Sequence, residues 1–97
     1  MVSSNVEYRL SPSVRITTDR TGGILLDLAR GKFYSLTFTA AEIARALVDG
    51  ACFDSLLEFL QVKFQVPKNV LEQDLARFLA EMERAELCRP SREQSPA

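Results

Sequence analysis

"LDLARGKFYSL", residues 26–36, decides how this chain is read. Two apolar runs flank the turn "ARG". Gly31 can adopt the left-handed backbone that closes a three-residue hairpin with a bulge, a conformation in which most side chains would be strained. Asp27 sits between leucines just before the turn, where a short acid accepts hydrogen bonds from turn amides. The second run, "KFYSL" (32–36), carries two adjacent aromatics, Phe33 and Tyr34, beside a single charge, Lys32. Neighbouring strand residues point to opposite faces, so one ring belongs to the core and the other does not. Such a strand at a sheet edge invites another strand, and small proteins usually hide edges of that kind.

Upstream, "VRITT" (14–18) alternates apolar and polar residues, and "GILLDL" (23–28) is short and bounded by turn residues. "DRTGG" separates the two, and the three strands suit an antiparallel meander. After Leu36 the period changes from two to about 3.6. "TAAE" (39–42) has capping-box spacing, with Thr39 receiving helix amides, Glu42 reaching back, and Phe38 and Ile43 placed for a hydrophobic staple.

The first helix is expected over about 40–48, with Gly50 as its stop. The second runs from about Phe53 to Phe64, with Phe53, Leu56, Leu57, Leu60 and Phe64 in one stripe. Pro67 opens the third, about 68–87, which carries Leu71, Leu75, Phe78, Leu79 and Met82 on one side and Asp74, Arg77 and Glu81 on its flank. The expected fold is α+β: a three-stranded antiparallel sheet followed by three helices packed on one face. Residues 1–88 form the single domain and 89–97, "RPSREQSPA", a flexible tail.

With 97 residues, 46 % hydrophobic and 26 % charged, the chain has the composition of one soluble globular domain. Twelve basic residues face 13 acidic ones, whereas a nucleic-acid binder carries a basic excess. The third helix is itself acidic, through Glu72, Asp74, Glu81, Glu83 and Glu86. Arg15, Arg20, Arg30 and Lys32 read as solvated strand ends. There is no histidine, and two separated cysteines, Cys52 and Cys88, are too few for a zinc site. No nucleophile, acid or base stands in a recognisable catalytic set, and "TGG" (21–23) lacks the lysine of a phosphate loop. No stretch resembles a signal-peptide core or a membrane span, so a cytoplasmic location without membrane contact is expected. Neither an enzyme nor a cofactor site is expected.

The runs "GGILLDLARGKFYSLTFTAAEIARALVDG" and "LLEFLQVKFQVPKNVLEQDLARFLAEMERAELC" resemble the PqqD-like family of precursor-peptide recognition proteins. The matching features are Leu25, Leu26 and Asp27, then Gly31 to Tyr34, then Asp49 and Gly50, then Asp74, Phe78, Leu79 and Leu87, over about residues 14–88. With "YRLSPSVRIT", the chain is most similar to the discrete leader-binding proteins of lasso-peptide gene clusters. Cys52 and Ser55 stand where relatives often have a better cap pair, and Ala85 replaces a frequent glycine.

The resemblance implies a winged helix-turn-helix fold that binds the leader of a ribosomally made precursor peptide and presents it to a separate cysteine protease and a cyclase. The edge and the third helix then supply a peptide site: Lys32, Phe33, Tyr34, Ser35, Leu36, Asp74, Arg77, Phe78, Glu81 and Met82. Strand addition would give affinity through main-chain hydrogen bonds and choice through side-chain pockets. Two other classes stay open, a winged-helix DNA-binding regulator and a scaffold subunit that binds a folded protein.

Overall fold

In the computed structural model, which describes residues 6–92, the hairpin of residues 26–36 is the last turn of a three-stranded antiparallel meander. In chain order the elements are β1 (Val6–Leu10), β2 (Val14–Asp19), β3 (Gly22–Asp27), β4 (Lys32–Thr37), α1 (Phe38–Ala46), β5 (Ala51–Cys52), α2 (Phe53–Lys63), α3 (Lys68–Arg84) and β6 (Cys88–Arg92). The meander is β2-β3-β4, so β4 is an outer strand.

Register settles the two aromatics. Tyr34 stands opposite the fully buried Leu25 and is half-buried, whereas Phe33 stands opposite Leu26 on the other face and is 69 % exposed. The connecting turn has four residues, Leu28 to Gly31, rather than three, and Gly31 takes the left-handed conformation at φ 69°. Asp27 is 1 % exposed. Its Oδ1 accepts from the amides of Ala29 and Arg30 at 3.1 and 3.3 Å, so it organises the turn as its position suggested. Gly22 serves a different need: a Cβ there would stand 2.3 Å from the Leu36 carbonyl oxygen, so only glycine lets β3 and β4 close at that end.

The helix start differs from the sequence reading. α1 begins at Phe38, and its cap is Thr37, whose hydroxyl accepts from the Ala40 amide at 3.2 Å. Thr39 lies inside the first turn, and Glu42 pairs with Lys63 at 3.8 Å instead of closing a capping box. Phe38 meets Phe64 edge to face, with ring centroids 6.2 Å apart, in place of a staple with Ile43. α2 and α3 begin where the pattern places them and bury Leu56, Leu57 and Leu60, and Leu71, Leu75, Leu79 and Met82. These side chains join Leu25, Ile43, Ala44 and Leu47 in one core. Cys52 precedes α2 without a side-chain cap.

The chain adds a second sheet that the sequence reading did not contain. β1 pairs with β5 on one side and β6 on the other, all antiparallel. Residues 88–92 are therefore strand where a tail was expected from 89, and residues 93–97 lie outside the described part. α3 stops at Arg84, three residues early. The Glu86 and Leu87 amides fold back onto the carbonyls of Glu83 and Met82 at 2.9 and 2.8 Å, a Schellman closure with Glu86 in the left-handed position at φ 61°. Strain in a non-glycine residue there is opposed by two partners: Ser11 Oγ donates to the Glu86 carbonyl at 2.8 Å, and Arg30 pairs with the Glu86 carboxylate. Arg30 also reaches Asp27 at 3.4 Å, tying the hairpin to the end of α3.

Candidate functional site

The open edge of β4 follows from two bonds and the alternation of an antiparallel ladder. Leu28 donates its amide to the Ser13 carbonyl at 3.0 Å, and Asp27 accepts from the Gly31 amide at 2.8 Å. Backbone groups of residues 22, 24, 26 and 28 thus face β2, and those of 23, 25 and 27 face β4. Their partners in register are Leu36, Tyr34 and Lys32. That leaves the N–H and carbonyl groups of Phe33 and Ser35, and the N–H of Thr37, pointing away from the sheet. Among the described residues no turn or cap bond engages the backbone of Phe33 or Ser35.

Beside this edge runs a cleft of about 350 Å³ between β4 and α3. Leu25, Met82 and Leu87, each at most 3 % exposed, form its floor. Tyr34 and Leu36 make one wall, Phe78 and Ala85 the other, with Ser35 and Glu81 at the rim. The meander alternation brings Tyr34 and Leu36 to this side, and the spacing of 78, 82 and 85 brings one stripe of α3 to meet them. A second hollow of about 170 Å³ continues past Phe78, lined by Ile43, Leu60, Leu71, Leu75 and Asp74. Thr37, Ala40 and Phe78 border both.

Of the residues singled out from sequence, Tyr34, Ser35, Leu36, Phe78, Glu81 and Met82 come together in the main cleft, and Asp74 borders the second hollow. Arg77 lines neither and pairs with Asp74 at 3.4 Å on the exposed flank of α3. Lys32 lies at the far end of β4, and Phe33 projects to the opposite face of the sheet. Leu25, Thr37, Ala40, Ala85 and Leu87 were missed. Leu25 could have been found, since it shares the face of Tyr34 once the hairpin register is fixed.

The cleft is a surface for apolar matter beside unpaired peptide groups, and its chemistry is that of binding. The Cys88 thiol, 2 % exposed and beside Glu83, is pushed by burial up to about 11, so it stays protonated near neutrality. Among the described residues no cluster of three or more His, Cys, Asp or Glu could hold a metal ion. No helix among them is long and apolar enough to cross a membrane.

Residues 22–87 match the family described as coenzyme PQQ synthesis protein D, PqqD. No curated protein matches the chain. Among solved structures, the chain is similar to a lasso peptide synthetase B1 complexed with the leader peptide, at 28 % identity and a TM-score of 0.73, over 86 % of this chain and 98 % of that one. It is also similar to TbiB1 in complex with the TbiA(beta) leader peptide, with a TM-score of 0.77 over 91 % of this chain and 99 % of that one. At 20 % identity that second likeness speaks for the fold.

Proposed function

The chain belongs to the PqqD family, and from that membership we propose that it binds the leader segment of a ribosomally made precursor peptide by strand addition to β4. One observation carries the reading: an outer strand whose Phe33 and Ser35 backbone groups have no partner among the described residues runs beside an apolar cleft whose far wall is a helix. The similarity to a lasso peptide synthetase B1 captured with a leader peptide supports the same occupant. In this reading the leader's backbone pairs with Phe33, Ser35 and Thr37. Its inward apolar side chains fill the space between Tyr34 and Leu36 on one side and Phe78 and Met82 on the other. Glu81 stands at the rim, Asp74 borders the second hollow with Arg77 on the exposed flank beside it, and Lys32 guards the entry end of the strand.

The protein acts without chemistry of its own. It holds the leader for a separate cysteine protease and a cyclase, and raises their rate by keeping the substrate near them. A fluorescein-labelled leader of the precursor from the same gene cluster should bind with saturable polarisation, and the protein alone should leave that precursor intact while accelerating its cleavage by the partner protease. A correctly folded protein that gives no polarisation change with that leader would sink the proposal. Retention of duplex DNA, weakening steeply with salt, would favour a regulator instead.

A further inference from the structure

We propose that Phe33 is a specificity-determining contact for one outward-facing apolar side chain of the strand that joins β4, a proposal that rests on strand addition at that edge. Any strand added there sends alternate side chains to opposite faces of the sheet. The inward ones enter the cleft already described. The outward ones come to lie beside the outer side chains of β4.

An antiparallel sheet with one solvated face should be polar on that face. On β2 it is, through Arg15, Thr17 and Asp19. On β3 it turns apolar, with Ile24 and Leu26 47 % and 39 % exposed, and on β4 the most exposed aromatic of the face, Phe33, stands in register with Leu26. The apolar part of this face therefore lies on β3 and reaches the edge whose backbone is unpaired at Phe33. Single exposed hydrophobics need no explanation, but three adjacent ones ending at an open edge form a patch whose outermost member, Phe33, borders any strand added there.

Backbone alternation sharpens the contact. Phe33 is one of the residues whose N–H and carbonyl face outward, so the guest residue opposite it sits in a hydrogen-bonded pair, within reach of the ring. The next outer residue, Ser35, is small and polar, and the guest position opposite it needs no apolar group. Recognition thus has two faces: a run of inward apolar residues read by the cleft, and one outward apolar residue read by Phe33, backed by Leu26.

The test is selection of an mRNA-displayed library of random 15-residue peptides against the parent protein, Phe33→Ser and Ser35→Pro, with circular dichroism on each. Peptides enriched on the parent should show apolar residues with period two and one more of the opposite parity. On Phe33→Ser the inward pattern should persist and the extra preference should vanish. A parent-selected peptide should bind Phe33→Ser about two- to fivefold more weakly, the range of a cross-strand pair. The same consensus and affinity with Phe33→Ser would overturn this contact while leaving strand addition in place. Identical peptides selected on Ser35→Pro, or a parent consensus without period two, would overturn strand addition and this contact with it.

Discussion

Along β2 the outer backbone of the meander is closed at its head, at Val14, by its own neighbours, while among the described residues no such closure occurs along β4 at Phe33 or Ser35. The Val14 amide donates to the Ser11 carbonyl at 3.0 Å, and the Val14 carbonyl accepts from Arg15 Nη1 at 3.1 Å. Charged and hydroxyl side chains follow at Arg15, Thr17 and Asp19. Thr21 donates through both its amide and its hydroxyl to Asp19 Oδ1, and these bonds hold that carboxyl below its usual range. β4 has one charge, Lys32, at its start, and then Phe33 and Ser35 with free peptide groups beside an apolar cleft. Both strands have six residues and both flank β3. A protein that merely needed to avoid aggregation would guard both edges. Guarding one is what a strand-accepting module requires.

The largest test of that contrast places the same lesion on each edge. By alternation the amides of Ser35 on β4 and Thr18 on β2 both face away from the ladder, where proline removes a donor without breaking the sheet. Ser35→Pro should weaken leader binding about tenfold or more, because it also strands a carbonyl of the guest, a loss of roughly 1–3 kcal/mol. Thr18→Pro should leave affinity unchanged. Polarisation with the labelled leader and circular dichroism on both variants decide it. Equal effects would mean that the guest does not distinguish the edges.

Much of this arrangement is legible from residues 14–37 alone, because turn residues bracket each strand and alternation assigns the faces. The second sheet was not. "VEYRL" (6–10) alternates, yet its partner "CRPSR" (88–92) lies at the other end of the described chain, is mostly polar and contains Pro90. Proline is tolerated there because β6 is an outer strand of its sheet. The helix start slipped for a similar reason. "TFTAAE" offers two threonines, and the capping-box spacing favours Thr39, but the packing of Phe38 on the distant Phe64 goes with a helix that starts from Thr37. The end of α3 has no glycine to mark it. Glu86 turns the chain with help from Ser11 and Arg30, 75 and 56 residues away in sequence. In the cleft, Tyr34 and Leu36 followed from parity, while Phe33 was grouped with them by adjacency and lies on the other face.

A smaller effect sharpens the comparison where the open edge ends. β4 runs directly into α1, and Thr37 serves as both the last strand residue and the cap. Thr37→Ala should cost about 1 kcal/mol of folding stability, the usual loss for a missing hydroxyl cap, and Thr39→Ala much less. Urea midpoints of the two variants measure the difference. If Thr39→Ala is the more damaging, the helix begins where the capping-box pattern places it.

Charge on the rim should matter less again. Arg77 and Asp74 are both largely exposed, and pairs of that kind contribute about 0–1 kcal/mol. Arg77→Glu should therefore change leader affinity by at most about fivefold, with the change shrinking as salt is raised. Arg20→Glu, in the turn after β2, should do nothing measurable to binding. A salt-independent loss at Arg77 would mean that its stem packs on the guest rather than its charge steering it.

The smallest effect on binding belongs to Arg15, and it bears most directly on why the edges differ. Its guanidinium covers the Val14 carbonyl and also reaches the Pro12 carbonyl at 2.7 Å. Replacing it by threonine keeps a strand-forming residue and removes the cover. Stability should fall by no more than about 1 kcal/mol, since one lost bond is exposed and the other only part-buried, where water can replace them. Leader affinity should stay at the parent value because β4 is untouched. What should change is self-association: with Val14 uncovered, β2 presents an acceptor to a second copy, and light scattering after size exclusion should show larger species as the protein is concentrated. Adding Thr18→Pro to Arg15→Thr should reverse this by removing a donor from the same edge. If excess leader peptide reverses it instead, the copies are pairing through β4, and the arginine was never the guard. If Arg15→Thr remains as monodisperse as the parent, the closure of β2 lies in its turn and its outer-face charges, and the contrast between the edges rests on what β4 attracts.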